Sequence, residues 1–221
     1  MRARFYTLDV FTDKTFGGNP LAVFPDAAKI PESALQSIAL ELNLSETVFV
    51  YPPVDPKHTR RVRIFTPVYE MPFAGHPTVG CAFALAALGE IPLDGDARIV
   101  LEEGVGPVPV LIRGEFKKPV FARHADREGV IRARVFVPGQ GIIEDPATGS
   151  AVAALGGYLA ARESATSGNF TYVVEQGFEI KRPSILELEV DKAEGEVTAV
   201  RVGGSAVMVS EGMMEVPLPR E

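Results

Sequence analysis

R-I-F-T-P at residues 63–67, followed by G-H-P-T-V-G-C-A at 75–82, returns as R-V-F-V-P at 134–138, followed by E-D-P-A-T-G-S-A at 144–151. Arg63, Phe65 and Pro67 recur 71 positions later as Arg134, Phe136 and Pro138. With a slip of two residues, His76, Pro77, Gly80 and Ala82 recur 69 positions later as Asp145, Pro146, Gly149 and Ala151. Each copy continues into an uncharged run, V-G-C-A-F-A-L-A-A-L at 79–88 and A-V-A-A-L-G-G-Y-L-A-A at 151–161. The period is too long for a solenoid. It describes two related halves, each a strand leading through a Gly/Pro turn into a helix.

A proline suits the first helical position, where its missing N–H is no loss and its φ is already set. Pro77 and Pro146 therefore predict helices over 77–88 and 146–161, with His76 and Asp145 at or beside the N-caps. Asp is a good N-cap and His is not, so His76 requires another reason for its place. Neither helix carries a polar stripe, which predicts burial on all sides. Gly80, Gly149, Gly156 and Gly157 inside them each disfavour helix by about 1 kcal/mol relative to Ala, which points to close backbone approach. Helix starts present free N–H groups and positive partial charge, so two of them facing each other would form a cleft suited to a carboxylate. Capped core helices with no function would produce the same repeat.

The rest of the chain fits this frame. At 221 residues and 46% hydrophobic composition it can form one large or two small domains. No apolar run is long enough for a membrane span, and the first ten residues read as a strand with no signal peptide. A lone cysteine, Cys81, excludes an internal disulfide and fits a reducing cytoplasm. A net charge of −7 without a basic block argues against nucleic acid as a partner. Strand patterns fall at 4–11, 21–24, 48–51 and 62–65, as a hairpin at 98–101 and 108–112, and in the tail at 170–174, 185–190, 197–202 and 206–209. A helix opens at Pro31 and closes at Asn43. The least regular stretch, 115–132, separates the halves 1–115 and 116–221. The reading is α+β: two pseudo-symmetric halves, each a mixed or antiparallel sheet wrapped around a buried central helix.

Chemistry is narrowed by elimination. The three His are isolated and there is one Cys, so no metal-ligand spacing exists. Dinucleotide, P-loop and nucleophile-elbow patterns are absent. Glu46, His76, Asp145 and Ser150 remain, each at a junction between a loop and a regular element, where function concentrates. Each also has a plain reading, as a solvated acid, a cap or a terminal hydroxyl. Cys81 reads as a small buried apolar residue, and His58 and His124 have no role.

N-L-S-E-T-V-F-V at 43–50, R-I-F-T-P at 63–67, P-F-A-G-H-P-T at 72–78 and E-D-P-A-T-G-S-A at 144–151 together resemble the PhzF family of phenazine-biosynthesis-like isomerases. F-G-G-N-P-L-A-V at 16–23 and E-Q-G at 175–177 are similar to it as well. The resemblance implies a diaminopimelate-epimerase-like fold with the active site between two similar domains. It further implies a cytoplasmic homodimer acting as a cofactor-free isomerase on a small carboxylated metabolite. Glu46 matches the family's proton-transferring glutamate, and His76, Asp145 and Ser150 match residues that line and order the site. Ser45, Gly75, Thr148, Gly149 and Asn19 are then substrate-binding positions. The chain departs from the superfold's two-thiol epimerases, since Ala74 stands at the first thiol position and the second motif has no Cys. It is also shorter than the family norm, with the shortfall between Ile112 and Arg132. A related epimerase or lyase, or a non-catalytic metabolite-binding protein on the same scaffold, are the alternatives. Local sequence suits Glu46 to acid–base work: Leu44, Val48 and Phe49 surround it, and no Lys or Arg lies between Gln36 and Pro56. A carboxyl in such a setting is expected to titrate nearer neutrality.

Overall fold

The computed structural model describes residues 1–113, 130–137 and 142–217, which leaves His124 and Pro138 outside the described residues. Alternating side chains give β1 (Arg2–Val10). The F-G-G turn then reverses the chain into β2 (Asn19–Phe24). The amphipathic helix α1 (Glu32–Leu42) ends on Asn43, whose left-handed backbone lets its N–H bond Ala39 O. α1 is the crossover that brings β3 (Glu46–Tyr51) back parallel to β2, with Leu21 opposite Glu46. β4 (Arg60–Phe65) follows β3 antiparallel and turns into the short β5 (Glu70–Met71). Helix α2 (Gly75–Ala87) comes next, then the hairpin of β6 (Ala97–Glu103) and β7 (Gly106–Ile112).

In the second half, β8 (Val130–Arg132) precedes an antiparallel pair, β9 (Val135–Val137) and β10 (Ile142–Asp145). Helix α3 (Gly149–Ala160) leads to β11 (Gly168–Gln176), β12 (Ser184–Ala193) and β13 (Glu196–Gly203). These three strands and β8 form a sheet in the order β13-β12-β11-β8. The last strand, β14 (Ala206–Glu215), leaves that sheet and pairs with β1. The large sheet therefore runs β14-β1-β2-β3-β4-β6-β7. The end of the chain thus returns to the sheet of the first half, and the expected boundary at 115/116 lies outside the described residues.

The duplication is physical, but its register differs from the sequence reading. Arg63 grips Glu70 with both ends of its guanidinium and lies over Phe65. Arg134 grips Glu144 in the same way and lies over Phe136. Glu70 and Glu144 each stand five residues before the first glycine of the following helix. Gly75 therefore corresponds to Gly149, and His76 to Ser150 rather than to Asp145. The expected helix starts at 77 and 146 are corrected to Gly75, after the N-cap Ala74, and Gly149, after the N-cap Thr148. Pro77 is the third helical residue, where an N–H would still lack a partner. Pro146 lies outside α3, and Asp145 ends a strand instead of capping a helix.

α2 packs against β1, β2, β3, β7 and β14 and is buried over most of its surface, as expected. α3 corrects that expectation. β12 and β13 cover one face, and Ser150, Ala154 and Tyr158 face outward at every fourth position. The glycines divide likewise. A Cβ on Gly80 would lie 2.6 Å from Leu21 and one on Gly156 would lie 2.7 Å from Leu188, whereas one on Gly157 would meet nothing within 4 Å. Close approach accounts for the first two and not for Gly157. No helix among the described residues is long and apolar enough to cross a membrane.

Candidate active site

The parallel pairing of β2 and β3 places Asn19 and Glu46 at the same end of neighbouring strands, with Ser45 half-buried at the entry to β3. α2 starts at this end of the sheet, and α3 meets it from the other half. A Cβ on Gly75 would lie 3.4 Å from the Gly149 Cα, and one on Gly149 would lie 3.5 Å from the Gly75 Cα. Glycine at both positions is what lets the two helix starts come together. Neither N-cap side chain bonds a helix N–H. The two helix starts therefore meet, with His76 in α2 of the first half and Asp145 at the end of β10 in the second.

His76 and Glu46 meet within the first half, Nδ1 to Oε2 at 3.3 Å. Burial pushes the Glu46 carboxyl up to about 8, and the neighbouring Asp145 adds to the rise. Burial pulls His76 down to about 3, against a hydrogen bond to the Pro20 backbone that favours the charged form. The separation is that of an ion pair, but the shared burial disfavours both charges. At neutral pH the contact joins a mostly neutral acid to a neutral imidazole.

Asp145 is buried in a network that spans both halves. Asn19 Nδ2 donates to Asp145 Oδ1 at 3.0 Å and to Ala147 O at 2.9 Å. The Thr148 hydroxyl donates to Asp145 Oδ2 at 2.5 Å. Gln176, fully buried, donates from Nε2 to Asp145 O at 2.8 Å and to Thr148 Oγ1 at 3.0 Å, and it accepts from Thr148 N at 3.3 Å. Burial raises the Asp145 carboxyl, with the Thr148 and Asn19 donors opposing the rise.

Against this satisfied network stand three atoms with no hydrogen bond. Among the described residues, six buried side-chain nitrogens or oxygens lack a partner, and Asn19 Oδ1, Glu46 Oε2 and His76 Nε2 are three of them. A buried polar atom left unpaired costs about 1–3 kcal/mol. Three such atoms gathered from β2, β3 and α2 form a set that a polar ligand would satisfy. Ser150 is exposed at the second position of α3, and Thr148 and Gly75 are half-buried.

The plain readings hold elsewhere. Cys81 is fully buried within α2, and burial pushes its thiol well above the ordinary value. His58 bonds Glu102, which also accepts from the N–H groups of Val54 and Asp55, and so ties a loop to β6. Sequence reasoning did not single out Gln176, Arg182 or Asp9. Their partners lie far away along the chain, and only E-Q-G at 175–177 marked that neighbourhood.

The phenazine biosynthesis-like (PhzC-PhzF) family model matches residues 8–125 and 117–212. An uncharacterized isomerase of Mesorhizobium japonicum is 35% identical over 303 aligned positions, covering 97% of this chain and 99% of the relative. The aligned length exceeds the 221 residues here, so the relative carries residues that this chain lacks. Trans-2,3-dihydro-3-hydroxyanthranilate isomerase of Pseudomonas aeruginosa is 30% identical, over 95% of this chain and 98% of that enzyme. The crystal structure of a PhzF-family phenazine biosynthesis protein from Bacillus anthracis superposes with a TM-score of 0.83 at 22% identity, over 98% of this chain and 100% of that one. The fold extends to a hydroxyproline epimerase of Agrobacterium vitis, with a TM-score of 0.63 at 10% identity over 96% and 92% of the two chains.

Proposed function

Because the chain belongs to the phenazine biosynthesis-like (PhzC-PhzF) family and is an isomerase, we propose that it moves a proton between two carbons of a small carboxylated substrate without a cofactor. Glu46 is the acid–base. As a carboxylate it takes a proton from one carbon, and the electron pair released shifts along the conjugated system. The resulting neutral Glu46 returns the same proton to a second carbon. His76 and Asp145 bind and orient the substrate, with Ser45, Ser150 and the Asn19 carbonyl as further polar contacts. The free N–H groups at Gly75 and Gly149 receive its carboxylate.

The single observation that carries this reading is Glu46 Oε2, buried without a hydrogen bond and 3.3 Å from His76 Nδ1, close to His76 Nε2 and Asn19 Oδ1, which also lack a hydrogen bond. A carboxyl held near 8 exchanges protons with carbon acids better than one at its ordinary 4.5. Ala74 and Thr148 occupy the equivalent N-cap positions, so no thiol pair is available for a two-base epimerisation. The same reading makes the protein a cytoplasmic homodimer, which light scattering of the purified chain tests.

The substrate named for the Pseudomonas aeruginosa relative, trans-2,3-dihydro-3-hydroxyanthranilate, is the first compound to try. In deuterated buffer the wild type should isomerise it, and solvent exchange of the transferred position reports access to Glu46. Glu46→Gln should lose turnover by about 10²–10⁴-fold while still folding. Near-wild-type turnover in Glu46→Gln would sink the assignment. A thermal shift with this compound but no conversion would favour a binding protein on the same scaffold.

A further inference from the structure

The loop at 177–183, between β11 and β12, touches both walls of the site. At its first end, Gln176 holds Asp145 and Thr148. The backbone of Gly177 takes φ +74°, and a Cβ there would lie 2.7 Å from Pro146 O, so only glycine allows the loop to press against the residue after Asp145. At its other end, Arg182 crosses to the first half. Its Nη2 donates to Asp9 Oδ1 at 2.5 Å and its Nε to Gly18 O at 3.0 Å. Asp9, buried in β1, accepts the Phe16 N–H at 2.7 Å with its second oxygen. Gly18 N donates to Pro183 O at 2.9 Å. The turn at 16–18 is thus held from three directions immediately before Asn19.

We propose that Arg182 is a positioning residue: bonded to Asp9 and to Gly18 O across the junction of the halves, it fixes how far Asn19 reaches toward Asp145. The proposal deepens the isomerase reading, since the Asn19–Asp145 pair belongs to that site. Its physical basis is rigidity. Asn19 has both amide hydrogens committed across the junction, to Asp145 and to Ala147 O. A displacement of the turn by about 1 Å would break them, and misplacements of that size in a site can lower turnover about 10²-fold. The bidentate, planar guanidinium suits this task better than an ammonium, because its two donors point at a side chain and a backbone carbonyl at once.

The test is a carboxyl titration of Asp145 by carbon-13 NMR, with its resonance assigned by loss in Asp145→Asn. Glu46 faces Asp145 and titrates as well, so every form carries Glu46→Gln. The Asn19 donor favours the Asp145 carboxylate. Arg182→Ala should therefore move the Asp145 midpoint upward, as Asn19→Ala should, and adding Arg182→Ala to Asn19→Ala should move it no further. Arg182→Lys, which can keep only one of the two contacts, should fall between wild type and Arg182→Ala. An unchanged midpoint in Arg182→Ala, or additive shifts in the double variant, overturns the proposal. If Arg182→Ala does not fold, Asp9→Asn and Arg182→Lys are compared with Asn19→Ala in the same way. The titration needs no substrate, so its failure is distinguishable from failure of the isomerase reading.

Discussion

Glu46 shows how little sequence is needed to shift a carboxyl and how much structure is needed to use it. The absence of a nearby cation along the chain already implied that nothing local would hold its pKa down. The fold adds burial and the second carboxyl of Asp145, which bring it to about 8. His76, at about 3, stays neutral throughout the working range and adds no limb to a pH profile above pH 5. The proposed reaction begins with removal of a proton from carbon, so the carboxylate is the competent form. kcat/KM should rise with pH, reach half its maximum near pH 8 and level off above about pH 9, and initial rates from pH 6 to 9.5 check it. Activity that falls across this range would instead mean that the protonated acid starts the reaction.

At the level of elements, α3 carries the clearest contrast. Gly156 points at Leu188 and Val190 in the β12 core, where a Cβ would lie only 2.7 Å from Leu188, while Gly157 points into open space. Gly157→Ala should stabilise by about 1 kcal/mol through helix propensity alone. Gly156→Ala gains the same propensity but overpacks a closed core, which costs about 1–3 kcal/mol. It should be neutral to destabilising, and urea denaturation of the two variants separates them. The same helix shows where sequence reading stops. Strands, turns and the Asn43 cap were legible because each rests on contacts a few residues apart. The helix starts were misplaced because Pro77 and Pro146 align in sequence but not in space. Pro77 sits inside α2 and Pro146 outside α3, and the true register depends on the Arg63–Glu70 and Arg134–Glu144 pairs. Burial of α3 was overestimated because an Ala- and Gly-rich run reads the same whether a sheet covers one side or surrounds it. Glu46, His76 and Asp145 were each legible from the motifs as candidates, and the structure gathers them at the junction of the halves. Gln176 and Arg182 were not, since their roles exist only after the second half folds against the first.

At the scale of the whole molecule, burial holds ionisable groups in their neutral forms, and that makes stability depend on pH in a defined direction. Glu46 is raised from 4.5 to about 8, and Glu103, buried against the Thr78 hydroxyl with its Oε2 unpartnered, is raised to about 7. A group whose folded pKa exceeds its unfolded value stabilises fully below the unfolded pKa and loses that contribution as pH rises through the folded one. His76 is depressed from 6.5 to about 3, so its contribution is complete above 6.5 and is lost only as pH falls toward 3. Between pH 4.5 and 6.5 the acids and the imidazole therefore oppose each other. Above 6.5 the imidazole is constant and the acids act alone. At about 1.4 kcal/mol per unit, they should together remove roughly 2–3 kcal/mol of stability between pH 6.5 and 8.5. For a chain of this size that is a fall in Tm of roughly 5–10 °C. Glu46→Gln removes the larger of the two contributions and should flatten most of the fall, with Glu103→Gln removing the remainder. Scanning calorimetry of wild type and the two variants at pH 6.5 and 8.5 measures it. A wild-type Tm that does not fall over this interval would mean that the cleft admits enough water to keep Glu46 near its ordinary value, and it would remove the physical basis for Glu46 as a carbon acid–base.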